Sequence, residues 1–238
     1  MHNTQMDVSV IIPAVNEADH IGTAALSAWD AGAAEVIVVD GGSSDNTVRN
    51  ARRLDCQVLQ GPLGRAIQQN LGAAHATGDV LLFLHADNYL GKKVVGQIRD
   101  ALQDERVQGG AFQQRIDAAG CLYRLLERGN AWRVRLQGLA YGDQGIFLRR
   151  ETFERLGGFP PVKLMEDFLL MRKLRKIAWP VLLPGPVYVS ARRWKRYGVV
   201  RQTLRNWRLV TLYRLGVPPH RLARRYARHD EKRQALSE

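Results

Sequence analysis

Glu35-Val-Ile-Val-Val-Asp40-Gly-Gly-Ser-Ser-Asp-Asn-Thr47 is the stretch that decides the fold. Val36 to Val39 are all apolar and β-branched with no polar alternation, so they read as a strand buried on both faces. An acid at the strand's end, a glycine pair and a run of small polar residues then lead into a helix-like Thr47 to Leu54. The same succession occurs on either side. Upstream, residues 8–14 (VSVIIPA) form a β-branched run, with Asn16 as a candidate N-cap for a helix from Glu17 to Ala31. Downstream, Cys56 to Leu59 reads as a short strand, Leu63 to Ala76 as a helix, and Asp79 to Leu84 as a fourth strand closed by His85-Ala86-Asp87. This alternation predicts an α/β fold: right-handed βαβ units on a mostly parallel central sheet flanked by helices. Ligands of such sheets bind at the carboxyl ends of the strands, where Pro13, Asp40 and Asp87 fall.

The second half is less regular. Val107 to Asp117 reads as a strand interrupted by Gly109-Gly110, and Leu122 to Leu136 as an amphipathic helix. Gly142-Asp-Gln-Gly-Ile-Phe-Leu-Arg149 reads as a strand entered through glycines. Leu164 to Ile177 is a helix with Glu166 and Asp167 in its first turn. Val199 to Leu215 is another, carrying Arg201, Arg205 and Arg208 beside a wide apolar arc.

With 238 residues, 45% hydrophobic and 24% charged, the chain can bury one sizeable core. The expected organisation is a domain over 1–195 with a C-terminal helical appendage over 196–238. The longest apolar run, Val80 to Leu84, is far too short to span a bilayer, and MHNTQMD lacks the pattern of a secretory signal. Two cysteines make no disulfide framework. These features predict a soluble cytoplasmic protein. The net charge of +12 is unevenly placed: residues 188–238 hold fourteen Lys and Arg against three acids, and the remaining 21 basic and 20 acidic residues nearly cancel. Such a basic end points to an anionic partner surface, lipid or nucleic acid.

Three places could carry chemistry. The loop after Asp40 has neither G-x-G-x-x-G nor a GK[ST] ending, which disfavours a dinucleotide or P-loop site. Asp40 either accepts a hydrogen bond from a base or ribose, or caps its own turn with Ser43, while Asp45 reads as a helix cap. Asp87 could ligate Mg²⁺ or Mn²⁺, which favour oxygen ligands shared with substrate phosphates. Glu166-Asp167 has two readings: acids favoured by a helix dipole, or a general base taking a proton from a hydroxyl.

Taken in order, these pieces resemble family 2 glycosyltransferases of the GT-A fold. The set is Val10-Ile-Ile-Pro13-Ala-Val-Asn16-Glu17, Val38-Val-Asp40-Gly-Gly-Ser-Ser-Asp45, Gly64-Arg65 with Asn70 and Gly72, Phe83-Leu-His-Ala-Asp87, Gly142 to Arg150 and Met165-Glu166-Asp167. It covers about residues 8 to 195. With Ser190-Ala-Arg-Arg-Trp194 it resembles a short subgroup labelled radical-SAM/selenodomain-associated or arsenosugar-biosynthesis transferases. The resemblance implies a nucleotide pocket lined by Pro13, Ala14, Asn16, Glu17, Asp40, Arg65, His85 and Ala86, with Asp40 reading a uracil-like base. It implies a metal at Asp87, with His85 beside it. Gly109, Gly110, Ala111, Asp143 and Gln144 would border donor sugar and acceptor, and Arg193 and Trp194 would form an acceptor-side lid. Asp167, next to Glu166, would be the base of an inverting transfer from a nucleotide-diphosphate sugar, with Mn²⁺ or Mg²⁺ neutralising the diphosphate. Two positions depart from the family's pattern: Gly41 stands where a second aspartate is usual after Asp40, and His85 where the metal-binding element usually begins with Asp.

Other classes remain open at this level. A nucleotidyltransferase could share the strand-end aspartates, but usually has a glycine-rich basic loop where this chain has Pro13-Ala-Val-Asn16. A nucleic-acid-binding protein would spread basic and aromatic residues over a groove. A sugar-nucleotide-binding module without activity would not need Asp87 and Asp167. The basic segments Val199 to Leu215 and Pro219 to Lys232 could rest on an anionic leaflet, with a lipid-linked acceptor.

Overall fold

In the computed structural model, which describes residues 6–225, the four apolar runs pair as parallel neighbours. They are β1 (Val8–Ala14), β2 (Glu35–Asp40), β3 (Gln57–Gln60) and β4 (Val80–Phe83). The helices between them are α1 (Ile21–Asp30), α2 (Thr47–Arg52) and α3 (Arg65–His75). The chain continues through β5 (Asn88–Leu90), α4 (Val94–Ala101), β6 (Gly109–Ile116), α5 (Cys121–Gln137), β7 (Ile146–Arg149), α6 (Arg150–Arg155), α7 (Glu166–Leu174) and β8 (Val181–Val189). It closes on α8 (Arg192–Tyr197), α9 (Val199–Arg214) and α10 (Pro219–Arg225). One sheet holds all eight strands in the order β3-β2-β1-β4-β7-β6-β8-β5. The strands from β3 to β4 run parallel, β7 is antiparallel to both its neighbours, and β6 and β8 are parallel.

The side-chain period of two divides β1 between two apolar layers. Val8, Val10 and Ile12 face the layer built with α1 and α4, and Ile11 faces the one built with α3 and α7. Close approach of helix to sheet on the second side needs Gly72, where a Cβ would stand 2.5 Å from Ile11 Cγ2.

The first-half elements lie where the sequence reading puts them, with helix ends shorter by a few residues. The exception is α1, which begins at Ile21 rather than after Asn16. Asn16 instead takes a left-handed conformation (φ 52°) and holds a neighbouring loop. Five elements escaped the sequence reading: β5, α4, α6, α8 and β8. The last contains Pro184-Gly185-Pro186, residues that argue against a strand; its register shifts against β6 between Phe112 and Gln114, which accommodates them. Residues 142–144 form a single 3-10 turn before β7 rather than its first residues. The C-terminal helix α9 joins the main core: Leu209, Val210, Leu212 and Tyr213 pack against the second apolar layer. The expected helix over Pro219 to Lys232 is described as far as Arg225, and the rest lies outside the described residues.

Candidate active site

A cavity of about 270 Å³ opens at the carboxyl ends of β1 and β4. Its first wall comes from the loops that follow β1 and β2, and these are tied together by side chains pointing at backbone. Asn16 N–H donates to Ser43 Oγ (2.9 Å), Ser44 N–H to Asn16 Oδ1 (2.9 Å), Glu17 N–H to Thr47 Oγ1 (2.8 Å) and Ala18 N–H to Asp45 Oδ2 (3.1 Å). Gln68 of α3 donates to the carbonyls of Ala14 (3.0 Å) and Val39 (2.8 Å), fixing the two strand ends. Pro13, Ala14 and Glu17 line the cavity as expected.

Asp40 does not line it. Its carboxylate accepts from Gly42 N–H (3.0 Å), Ser43 N–H (3.1 Å) and Ser43 Oγ (2.5 Å), and the residue is buried. The turn-capping reading therefore describes its contacts, and Asn16 likewise acts through the loop it staples. Gly41 has a packing reason: a Cβ there would meet Val15 Cγ2 at 2.8 Å and Gln68 Nε2 at 3.0 Å, so a larger residue would require both side chains to shift.

Beside this wall lies a charged group, of which Arg65 and His85 reach the cavity and Glu166 is buried. Arg65 pairs with Glu166 and donates through Nη1 to His85 Nε2 (3.2 Å). A guanidinium can only donate, so His85 carries its proton on Nδ1. Burial, aided by the Arg65 charge, pushes the His85 pKa down to about 3, and the ring stays neutral. His85 Nε2 also abuts Gly142, where a Cβ would lie 2.5 Å away. Its Nε2 is thus turned toward Arg65 and Gly142, while the residue stands on the cavity wall with Asp87. Glu166 is fully buried on Arg65 and absent from the cavity wall, so its catalytic assignment gives way to an anchoring contact.

Asp167 does face the cavity. Its Oδ2 accepts from Gly142 N–H (2.7 Å) and its Oδ1 from its neighbour Phe168 N–H (2.6 Å). Burial, then the adjacent Glu166 charge, raises its pKa above the usual carboxylate range, against the opposing pull of Arg65 and the two N–H groups. Glu166 and Asp167 diverge as the first two residues of α7, which point about 100° apart at 3.6 residues per turn, and Met165 before them takes a left-handed backbone (φ 68°). Asn70 clamps the preceding loop by binding both N–H (2.9 Å) and carbonyl (2.8 Å) of Phe159.

The Gly142-Asp143-Gln144 turn is braced from behind. Arg133 of α5 donates to Gln144 Oε1 (2.6 Å) and lies 3.6 Å from the Tyr141 ring centroid. Gln144 is therefore a buried brace, whereas Asp143 reaches the cavity wall. Asp143 Oδ1 is buried beside the Gln114 amide, and burial raises its pKa against the lowering pull of Arg133 and Gln114. Gly109, Gly110 and Ala111 are buried in the sheet and do not line this cavity: a Cβ on Gly109 would stand 2.5 Å from the Phe147 carbonyl, and one on Gly110 would run into that of Val181.

The final wall comes from α8 and α9. Arg193 and Trp194 line the cavity as expected, Trp194 standing edge-on to Tyr123 at 6.5 Å. Arg192, which the sequence reading passed over, binds both oxygens of Glu17 (2.5 and 3.0 Å) and Asp87 Oδ2 (3.0 Å). Burial raises the Glu17 pKa, against the lowering effect of Arg192. Gln202 and Asn206 of α9 also face the cavity, Gln202 donating to Asn206 Oδ1 at 2.9 Å. Their signal was present as polar residues four apart on one helix face, but it lay inside a segment dominated by arginines.

Among the described residues, no cluster of three or more His, Cys, Asp or Glu could hold a metal alone. Mg²⁺ and Mn²⁺ do not need one, because they take one or two carboxylates plus substrate phosphates. Asp87, at the cavity wall, fits a cation that arrives with a diphosphate.

The sequence model for glycosyl transferase family 2 matches residues 9–155, which include the strand-end loops and the Gly142 turn. The chain belongs to this family. An uncharacterized glycosyltransferase of Nostoc sp. is 30% identical over 185 residues, covering 66% of this chain and 55% of the relative. One from Mycobacterium tuberculosis is 42% identical over 78 residues, 30% of this chain and 29% of its own. The matched segments thus span about half or less of these relatives. The fold is GT-A. TarS residues 1–349 from S. aureus, solved with UDP-GlcNAc, superposes with a TM-score of 0.62 at 18% identity, over 78% of this chain and 58% of TarS. Glucosyl-3-phosphoglycerate synthase from M. tuberculosis, solved with Mn²⁺, UDP and glucosyl-3-phosphoglycerate, gives 0.56 at 22% identity, over 77% and 71%. The family 2 motif residues thus divide into those that touch the cavity (Pro13, Ala14, Glu17, Arg65, His85, Ala86, Asp87, Gly142, Asp143, Asp167) and those that hold them there.

Proposed function

We propose that this protein transfers a sugar from a nucleotide-diphosphate donor, a UDP-sugar, to an acceptor hydroxyl with inversion, Asp167 acting as general base. The observation carrying this reading is that Asp167, fixed by Gly142 N–H and raised in pKa, shares one cavity with Pro13, Ala14, Glu17 and Asp87. The nucleotide would lie against the interlocked loops after β1 and β2, with Arg65 near the ribose. Asp167 takes the acceptor's hydroxyl proton. The oxygen then bonds to the anomeric carbon as the bond from that carbon to the diphosphate breaks, from the opposite face. The nucleoside diphosphate leaves with the electron pair. Mn²⁺ or Mg²⁺ bound at Asp87 would supply charge neutralisation of that leaving group. A raised pKa suits Asp167 for this task, since a base works best when its pKa lies near the working pH. Asp143, at the cavity wall, would border the donor sugar. The donor class is supported by TarS with UDP-GlcNAc and by the mycobacterial synthase with UDP and Mn²⁺, both of this fold. Peripheral contact of the basic C-terminal helices with a cytoplasmic leaflet, and a lipid-linked acceptor, complete the reading.

The test is release of nucleoside diphosphate from UDP-glucose, UDP-GlcNAc and GDP-mannose with Mn²⁺ and a panel of hydroxyl acceptors. Acceptor-dependent release in the wild type, lost in Asp167→Asn, is expected. Equal release by the variant would overturn the base assignment, and no release from any donor would overturn the reading.

A further inference from the structure

Three tryptophans, Trp132, Trp179 and Trp207, take no part in the site and stand in solvent together with large aliphatic residues. Along α5 the positions 122, 125, 129, 132 and 136 form one stripe, three and four residues apart: Leu122, Leu125, Gly129, Trp132 and Leu136. Along α9, Val200, Leu204 and Trp207 do the same. Leu125, Trp132, Leu136, Trp179 and Trp207 are each 54–66% exposed.

These residues belong to joined elements. Gln137, at the end of α5, accepts from Arg175 Nη1 at its carbonyl (2.8 Å) and from Arg214 Nη2 at its Oε1 (2.8 Å). Trp179 Nε1 donates to the Arg135 carbonyl (3.2 Å). The C-terminal ends of α5, α7 and α9 therefore converge. At the other end of α5, Tyr123 packs on Trp194 of α8, immediately before α9 begins. The two helices are thus linked at both ends; their lengths, about 24–26 Å at 1.5 Å per residue, are nearly equal.

Charge decides the occupant. Residues 168–225 contain fifteen Lys and Arg and no acid. Arg128, Arg135, Lys176, Arg201, Arg208 and Arg214 are exposed among the apolar positions. Glu127, the single acid of α5, is turned inward onto Ile116 N–H (2.6 Å) and Arg124 (3.0 Å). Apolar stripes edged by arginine, with tryptophan between, suit the boundary between headgroups and acyl chains. A second copy would bring two basic faces together, which like-charge repulsion opposes.

We infer that α5, Trp179 and α9 form one docking face for an anionic lipid bilayer. This deepens the membrane contact of the proposed function, which placed it on the basic C-terminal helices alone. Its consequence lies in α9, whose opposite side supplies Gln202 and Asn206 to the cavity. One helix then meets lipid outside and substrate inside, bringing the cavity to the depth of a lipid-linked hydroxyl.

The test is flotation of the full chain with phosphatidylglycerol/phosphatidylcholine vesicles and with phosphatidylcholine alone. The triple variant Leu125→Glu/Trp132→Glu/Leu136→Glu leaves every residue of 188–238 unchanged. Wild-type protein should float with the anionic vesicles and show a blue-shifted tryptophan emission. The variant should partition at least about tenfold less, since apolar burial and charge act together at such surfaces. Its melting temperature and its UDP-induced stabilisation should match the wild type, which separates loss of docking from loss of fold or donor site. Unchanged flotation by the variant would show that basic charge alone does the work and overturn the α5 face. So would failure of the wild type to float, a stable dimer dissociated by the variant, or preferential binding of duplex RNA over vesicles at equal ionic strength.

Discussion

The two sides of the cavity are built by different means. On the β1–β2 side, polar side chains are spent on backbone: Asn16, Ser43, Asp45, Thr47 and Gln68 bond main-chain groups across the two loops, and Asp40 bonds those of its own turn. On the α8 side, the Arg192 guanidinium reaches Glu17 and Asp87. Main-chain hydrogen bonds within a loop pair hold one shape whatever is bound. An ion pair at a cavity mouth can be exchanged for another cation or for a diphosphate. The first side is a preformed surface, and the second is where ligand binding has charge to rearrange.

This contrast can be broken or sharpened by substitution. The largest effect belongs to Asp167, between the two sides: Asp167→Asn should lower turnover by about 10²–10⁴ while leaving UDP-induced stabilisation intact, as measured by thermal shift. Loss of both would mean that the residue holds the preformed wall instead. The wild-type rate should fall as pH drops through the raised pKa of Asp167, because the base must be ionised, and the Asn variant should lack that limb. Next in size, Gly110→Ala should destabilise the protein by about 1–3 kcal/mol through overpacking against Val181. The donor KM of the protein that remains folded should not change. A raised KM at full stability would return Gly110 to the donor site. Smaller still, Arg192→Met should leave Glu17 and Asp87 uncompensated. Mn²⁺ should then bind about tenfold more tightly in the absence of donor, because an opposing positive charge within hydrogen-bond reach is removed. Unaltered Mn²⁺ affinity by calorimetry would remove Arg192 from the cation's neighbourhood.

The smallest prediction concerns Asp143. Its folded pKa is raised, so ionisation costs stability at neutral pH, a cost that is absent below the unfolded pKa and grows as pH rises through the folded one. Asp143→Asn should raise the melting temperature at pH 7 by about 2–4 °C per kcal/mol recovered. The gain should vanish in acid. A gain independent of pH would assign it to packing.

The same contrast explains what could be read from sequence. Parallel buried strands announce themselves as unbroken β-branched runs, so β1, β2 and β4 and the residues at their ends were legible. Asp87, Glu17 and Asp167, all legible in the sequence, line the cavity. Asp40, Asn16, Gln144 and Glu166 carry the family pattern yet act through neighbours, a distinction that depends on side-chain direction and is invisible in a string. The α8 side was nearly silent: β8 hides behind Pro184 and Pro186, and Arg192 sits among so many cations that nothing marks it. Gly109 and Gly110 are ambiguous in a string because close strand packing, which the fold shows, and close ligand approach ask for the same residue.

The central claim is that the preformed wall and Asp87 together bind a nucleoside diphosphate with its cation. The direct measurement is thermal stability with UDP, GDP, dTDP and CMP, each with and without Mn²⁺, in the wild type and in Asp87→Ala. Binding to the native state alone raises stability by RT ln(1 + [L]/Kd). A Mn²⁺-dependent rise with UDP that disappears in Asp87→Ala is the expected result. No rise with any nucleotide, or an equal rise in the variant, would contradict it.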